Sequence, residues 1–305
     1  MTKGSTQTTQ KAAQGSDFKT STSVRYGLDR VFAALVFVAT LIGLVVLTVL
    51  LADVARDGLP WLSWNFITSF PSSIPTSAGI YPALLGSLWL LALTALISVP
   101  LGIGAAVYLE EYATDTWLNR LVEVNISNLA GVPSIIYGLL GLGIFVNLLA
   151  PITGGPSIIS GALTLSLLIL PVIIIATREA LRAIPDTERE GGFALGATRW
   201  EVIRSHLLPM AMPGALTGTI LALSRAIGET APLIVVGAAT YLTFAPDSPL
   251  SRYSALPIQI YYWVSQPQSE FQVGLAAAGI VVLMAVLILT NSFAIWLRNR
   301  YQRRI

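Results

Sequence analysis

The chain has 305 residues, of which 54% are hydrophobic and only 11% charged, against about 25% charged in a soluble domain, which argues against a soluble enzyme of this size. With no cysteine and a single histidine, it offers no disulfide framework and no ligand set for a zinc or iron centre. The net charge of +2 points to no nucleic-acid partner; the informative feature is where the charges fall.

Residues Met1–Ser23 are mostly Ser, Thr, Gln and Lys, which predicts a disordered polar tail. The tail is delimited as residues 1–25, and a single transmembrane domain as 26–305. The apolar run Val31–Ala52 is too long for a signal-peptide core and follows a long polar stretch, so it predicts a retained helix. Five further runs follow, at Pro82–Leu109, Ile126–Ala150, Ile158–Thr177, Pro209–Leu242 and Val273–Leu297. Each meets the roughly 20 residues that a bilayer requires. Helices are the default for such runs, because lipid leaves every backbone group to pair within its own segment. The expected fold is all-α and integral to the membrane, with six transmembrane helices.

Fifteen of the 18 Lys and Arg residues lie in the tail, after the second run, after the fourth, or at the C-terminus. The positive-inside rule then places both termini and the stretch 178–209 in the cytoplasm. The segments Asp53–Tyr81 and Thr243–Gln272 fall on the opposite side. Their Trp61, Trp64, Tyr261, Tyr262 and Trp263 predict interfacial loops with belt aromatics. Pro100 and Pro171 predict kinks, and Gly214-Ala-Leu-Thr-Gly218 predicts a helix-packing face available to a subunit boundary. Pro133, in Gly131-Val-Pro-Ser134, is read as an ordinary helix start or as a site favouring an anion.

The loop from Glu179 to Pro209 carries two capping-box spacings, Thr187 with Glu190 and Thr198 with Glu201. Gly196 stands between them, where a helix end favours a residue tolerant of positive φ. The expected path is helix, glycine turn, helix, and then Pro209 opening the fifth span, with Trp200, Ile203 and Leu207 as an apolar stripe. Two readings are open on these features alone: a docking surface, or an amphipathic connector resting on lipid headgroups.

The spacing Glu190-Gly191-Gly192, Gly196, Leu208-Pro209 resembles the EAA loop of ABC importer permeases, whose pattern is Glu-Ala-Ala, three residues, Gly, nine residues, Ile, one residue, Leu-Pro. Gly191 and Gly192 replace the two alanines and His206 the isoleucine. Three further stretches make the resemblance narrower: Arg225-Ala-Ile-Gly-Glu-Thr-Ala-Pro232, Leu129-Ala-Gly-Val-Pro-Ser-Ile-Ile-Tyr-Gly138 and Leu256-Pro-Ile-Gln-Ile-Tyr261. With Gly79-Ile-Tyr-Pro-Ala83, they resemble phosphate-specific importer permeases of the PstA type, from about Tyr26 to the end. The resemblance implies a type I ABC importer permease fold in a bacterial plasma (inner) membrane. It implies that Glu190, Gly191, Gly192, Gly196, Leu208 and Pro209 form the coupling loop, with Glu190 facing the ATPase. The implied partners are a PstC-type permease completing a heterodimeric pore, two copies of a PstB-type ATPase, and a PstS-type phosphate-binding protein. No cofactor is then bound by this chain; ATP and Mg belong to the partner ATPase.

Arg225 and Glu229 lie one helical turn apart in the fifth run. A charge at the bilayer centre costs about 2.5–3.5 kcal/mol on insertion scales. The pair reads either as a neutral internal tie or as part of an anion pathway. In the second reading Arg225 offers planar donors to oxyanion oxygens, and Glu229 orients it and weakens binding enough for release. Pro232 cannot donate to the Gly228 carbonyl, so the helix is expected to break here. Arg225, Glu229 and Thr230 are the candidate pathway residues, with Gly228 and Pro232 at the break.

All three lysines lie within the first 19 residues, so a Walker-type phosphate loop is absent from the body of the chain and ATP hydrolysis is not expected of it. The alternatives are a permease for sulfate or molybdate, a secondary transporter or channel, which would show inverted repeats, and a membrane-embedded enzyme, for which His206 stands alone. Dependence on a separate ATPase divides the permeases from the other two.

Overall fold

A computed structural model describes residues 22–302, all helix, turn and loop; among the described residues there is no strand. The polar tail expected over 1–25 lies outside the described residues, apart from its last four. The chain divides into two units, one up to Ala52 and one from Asp53 onward.

The first unit is carried by α1 (Thr22–Gly58), which is apolar on every side, with Leu28, Phe32, Leu35, Ile42 and Leu50 all exposed. A helix of this kind belongs in lipid or against another protein. Its 37 residues extend about 55 Å, well beyond a hydrocarbon core of roughly 30 Å.

The second unit is built around α7 (Ile158–Arg182), which is the most buried helix and packs against α3 (Tyr81–Val107) and α10 (Leu208–Gly228). Small residues make these contacts close. A Cβ at Gly214 would stand 2.7 Å from Ala180 Cβ, one at Gly218 would collide with Ala176, and one at Gly102 would stand 2.6 Å from Ile173. In lipid, where helices gain little from mutual hydrophobicity, such close approach is what holds them together. The Gly214–Gly218 face is therefore spent inside the chain and is not left for a subunit boundary. α3 and α7 run on through Pro100 and Pro171.

The third expected span, Ile126–Ala150, is not one helix. α4 (Trp117–Leu129) and α5 (Ser134–Gly141, continued as a π-helical turn over Leu142–Leu148) meet at an angle of 108°. Pro133 forces this, because it is the extended N-cap of α5 and Pro disfavours helix in the residue before it. The short α6 (Ala150–Thr153) follows. Among the described residues, five helices are thus long and apolar enough to cross a membrane, six if the bent pair counts as one. The fifth span also ends earlier than expected. Arg199–Gly228 is a single 30-residue run through α9 (Arg199–Val202), a π-helical turn at Ile203–Leu207 and α10. Pro209 lies within this run and does not open it.

The segments between spans fold into a cap. α2 (Trp64–Thr68) and α12 (Leu256–Val264) contribute Phe66, Leu256 and Trp263 to one buried cluster with Ile80 and with Phe271 and Leu275, which lead into α13 (Ala276–Gln302). Trp263 is only 1% exposed and lies 5.7 Å from Phe66, centroid to centroid. It is a core residue and not a belt aromatic; Trp64, at 79% exposed, keeps that character.

Gly218→Val is expected to cost about 1–3 kcal/mol by overpacking against Ala176, whereas Gly104→Val, with open space around its Cβ, stays within about 1 kcal/mol. Thermal unfolding of the detergent-extracted variants measures the difference.

Candidate functional site

α10 stops at Gly228. Glu229 is extended (φ −74°, ψ 123°), Thr230 returns to helical angles, and α11 (Ala231–Val235) begins with Pro232 in its first turn. The break expected from Pro232 is therefore present and centred on Glu229 and Thr230. Gly228 is not bound to its place by packing, since a Cβ there would meet nothing within 4 Å. Arg225 Nε donates to Glu229 Oε1 at 3.2 Å. The Arg225 side chain is 47% exposed and that of Glu229 15%. Among the described residues, the two terminal amines of Arg225 make no hydrogen bond. Its position in the last turn of α10 also suits a cation, because the helix dipole is negative there.

Two sequence stretches converge at this break. A Cβ at Gly138 of α5 would stand 2.8 Å from Pro232 Cα, so α5 and α11 touch backbone to backbone. Tyr137 is buried among Ala222, Ala226 and Ile169, and its hydroxyl donates to the Leu129 carbonyl at 2.7 Å across the α4–α5 bend. Ser224, beside Arg225, donates to Asn291 Oδ1 of α13 at 2.7 Å. Tyr137 and Gly138 enter the sequence reading only as the end of the stretch Leu129–Gly138, with no role of their own, and Asn291 does not enter it. A glycine within an apolar run, as at Gly138, is the signal that marks a close backbone approach.

The loop after α7 forms α8 (Asp186–Ala194), a glycine turn and α9. Gly196 has φ +82°. Its N–H donates to the Phe193 carbonyl and that of Ala197 to the Gly192 carbonyl, the paired pattern that closes helices ending in a left-handed residue. The Thr198–Glu201 capping box forms in full. The Thr187–Glu190 box does not, because α8 starts two residues earlier than that box requires, with Pro185 as its N-cap. Of the expected stripe, Ile203 and Leu207 are buried against Leu181 and Ile184, while Trp200 is 54% exposed. Glu190, Gly191, Phe193, Leu195 and Trp200 are left on the surface, while Gly192 is buried and Leu208 and Pro209 are partly so.

Four of the five arginines from Arg178 to Arg204 bond back onto the fold. Arg189 grips Glu111 at 2.9 Å and donates to the Leu181 and Ile184 carbonyls; the bond to Glu111 raises its pKa. Arg182 and Arg178 share Glu110, at 2.9 and 3.2 Å. Arg178 also reaches Glu123 on α4 at 2.6 Å, and Arg199 donates to the Glu111 carbonyl while lying over the Tyr112 ring. The turn after α3 thus holds α8 through the Glu111 carboxylate and α9 through the Glu111 carbonyl. Among the described residues, no group of three or more His, Cys, Asp or Glu is arranged to hold a metal ion.

Residues 98–305 match the family model described as "Binding-protein-dependent transport system inner membrane component". The chain belongs to this family. The permease is 34% identical over 272 residues to the "Probable ABC transporter permease protein YqgI" of Bacillus subtilis, a match covering 85% of this chain and 91% of that one. It is 31% identical over 265 residues to the "Probable phosphate transport system permease protein PstA" of Methanocaldococcus jannaschii, covering 87% and 92%. It also superposes on a chain from the crystal structure of a bacterial alginate ABC transporter in complex with alginate pentasaccharide-bound periplasmic protein. That match has a TM-score of 0.62 at 17% identity and covers 88% of this chain and 93% of that one. The fold is that of a type I ABC importer permease.

Gly191→Ala in the permease is expected to stabilise α8 by roughly 0.5–1 kcal/mol, since its Cβ meets nothing. Gly192→Ala forfeits that gain against Val202, 2.7 Å away, and Gly196→Ala destabilises by about 1–2 kcal/mol in its left-handed conformation. Arg189→Ala leaves Glu111 nearly buried and unpaired, at about 3–5 kcal/mol. Limited proteolysis between Ile184 and Ala197 is expected to accelerate in Arg189→Ala and to slow in Gly191→Ala.

Proposed function

We propose that this permease is one half of the pore of an ATP-driven importer that carries inorganic phosphate across the bacterial plasma membrane into the cytoplasm. The observation that carries this reading is Arg225: a guanidinium held through one nitrogen by Glu229 at a broken helix, with no hydrogen bond to its two terminal nitrogens among the described residues. A planar pair of N–H donors matches two oxygens of an oxyanion. Glu229 keeps the empty site neutral and, by repelling an anion, keeps occupancy short. The extended backbone at Glu229 and the adjacent Thr230 fit a site lining a cavity, where broken helices are tolerated at membrane depth. Relatives named as phosphate transport permeases support phosphate as the substrate.

In this reading both termini and the 178–209 loop are cytoplasmic. The exposed Glu190, Phe193, Leu195 and Trp200 face one of two PstB-type ATPases, which bind ATP and Mg. A PstC-type permease completes the pore, and a PstS-type protein delivers the anion.

Uptake of radiolabelled phosphate at limiting concentration, with sulfate and molybdate in parallel, tests the assignment in cells lacking and regaining the gene. Phosphate uptake alone is expected to depend on this chain and on its ATPase. Arg225→Ala is expected to abolish uptake while the protein still inserts and assembles. Arg225→Lys, with the charge but not the fork, retains about a tenth or less, the equivalent of one charge-assisted hydrogen bond of roughly 1.5–3 kcal/mol. Wild-type uptake by Arg225→Ala overturns the pathway; uptake that survives loss of the ATPase overturns the importer.

A further inference from the structure

α4 has an unusual set of attachments. It buries none of its own residues, and cavities of about 210 and 290 Å³ border it, the first lined by Leu109 and Asn119 and the second by Ser127 and Ile175. Two polar ties hold it. At its middle, Glu123 accepts from Arg178 at 2.6 Å. Arg178 is 8% exposed and shares Glu110 with Arg182, and the neighbouring Glu111 is the partner of Arg189 in α8. At its end, the Leu129 carbonyl accepts from the Tyr137 hydroxyl across the 108° bend. Tyr137 lies against Ala222 and Ala226, on either side of Arg225 in the sequence, and its neighbour Gly138 abuts Pro232.

We propose that α4 is a lever between the 186–202 loop and the Arg225–Glu229 break, with Glu123 as its input and Tyr137 as its output; both are positioning residues. A displacement of α8 shifts Glu111 and the contiguous Glu110, and through Arg178 it turns α4. The open space beside α4 permits that swing, whereas a closely packed helix would resist it. The Tyr137–Leu129 bond converts the swing into movement of α5, and the contact between Gly138 and Pro232 leaves no slack before the break. The proposal rests on the importer reading above, in which the loop receives force from an ATPase.

The test uses the complete transporter in liposomes and reads solute taken up per ATP hydrolysed. Glu123→Gln and Tyr137→Phe each remove one tie, and each is expected to lower that ratio at least fivefold while hydrolysis continues. Glu123→Asp, which keeps the carboxylate, is expected to restore at least half of it. An unchanged ratio overturns the lever, whether both rates stay at wild-type level or fall together. Wild-type transporter that hydrolyses ATP without moving phosphate counts against the phosphate reading alone. A second measurement needs no solute: a spin-label pair at the exposed Ser127 and Leu139 spans the bend. Its distance is expected to change on ATP binding in the wild type and to stay constant in Glu123→Gln. A distance insensitive to ATP in the wild type, or equally responsive in the variant, overturns the lever.

Discussion

Close contact between α7 and its neighbours α3 and α10 is the interaction from which the other features of the second unit follow. Lipid tails are as apolar as leucine, so burying apolar side chains between helices releases little free energy there. Dispersion between closely approaching backbones has to replace it, and it decays steeply when a gap opens. Gly214 and Gly218 facing Ala180 and Ala176, and Gly102 facing Ile173, allow that approach. Once α7 and α10 are locked together, the positions of their ends are set. One end carries Arg178 and Arg182 to the acids at the end of α3; the other carries Arg225 to the break.

The charged groups show how a low-dielectric interior is managed. A buried ion pair often gains little net free energy over an apolar substitute, but removing one partner is costly. Here each buried arginine has more than one acceptor. Arg178 takes Glu110 and Glu123, and Arg189 takes Glu111 with two backbone carbonyls. Such multiply bonded forks fix geometry: Arg189 seats the 186–202 loop against Glu111 after α3, and Arg178 ties α7 to α4. Arg225 is the contrast. Among the described residues it has one partner, and it is substantially exposed, the arrangement of a donor group with capacity left for a ligand.

The two glycines that replace the alanines of the EAA pattern are not equivalent. Gly191 points into open space, whereas Gly192 packs against Val202 beneath α8. The departure from the pattern at Gly192 thus matches a tight contact, and the one at Gly191 has no packing reason in the structure.

Features governed by local covalent geometry were legible in the sequence. Pro232 removes a donor and breaks α10; Gly196 takes the positive φ that a β-carbon disfavours; Thr198 and Glu201 close a reciprocal cap. The long apolar runs were legible for a similar reason, since a bilayer imposes length and hydropathy one segment at a time. The side chains that face one another were decided only by the tertiary structure. Hydropathy does not distinguish a Trp263 sealed in a cap from one at an interface, or a Gly214–Gly218 face turned to its own α7 from one turned to another subunit. A count of arginines in a loop does not reveal that three of them pair with acids from other helices and a fourth donates to a backbone carbonyl. The 108° bend before α5 has a local cause in Pro133, but its consequence, Tyr137 and Gly138 delivered to the break beside Arg225, depends on contacts between segments some 90 residues apart, which no local periodicity records.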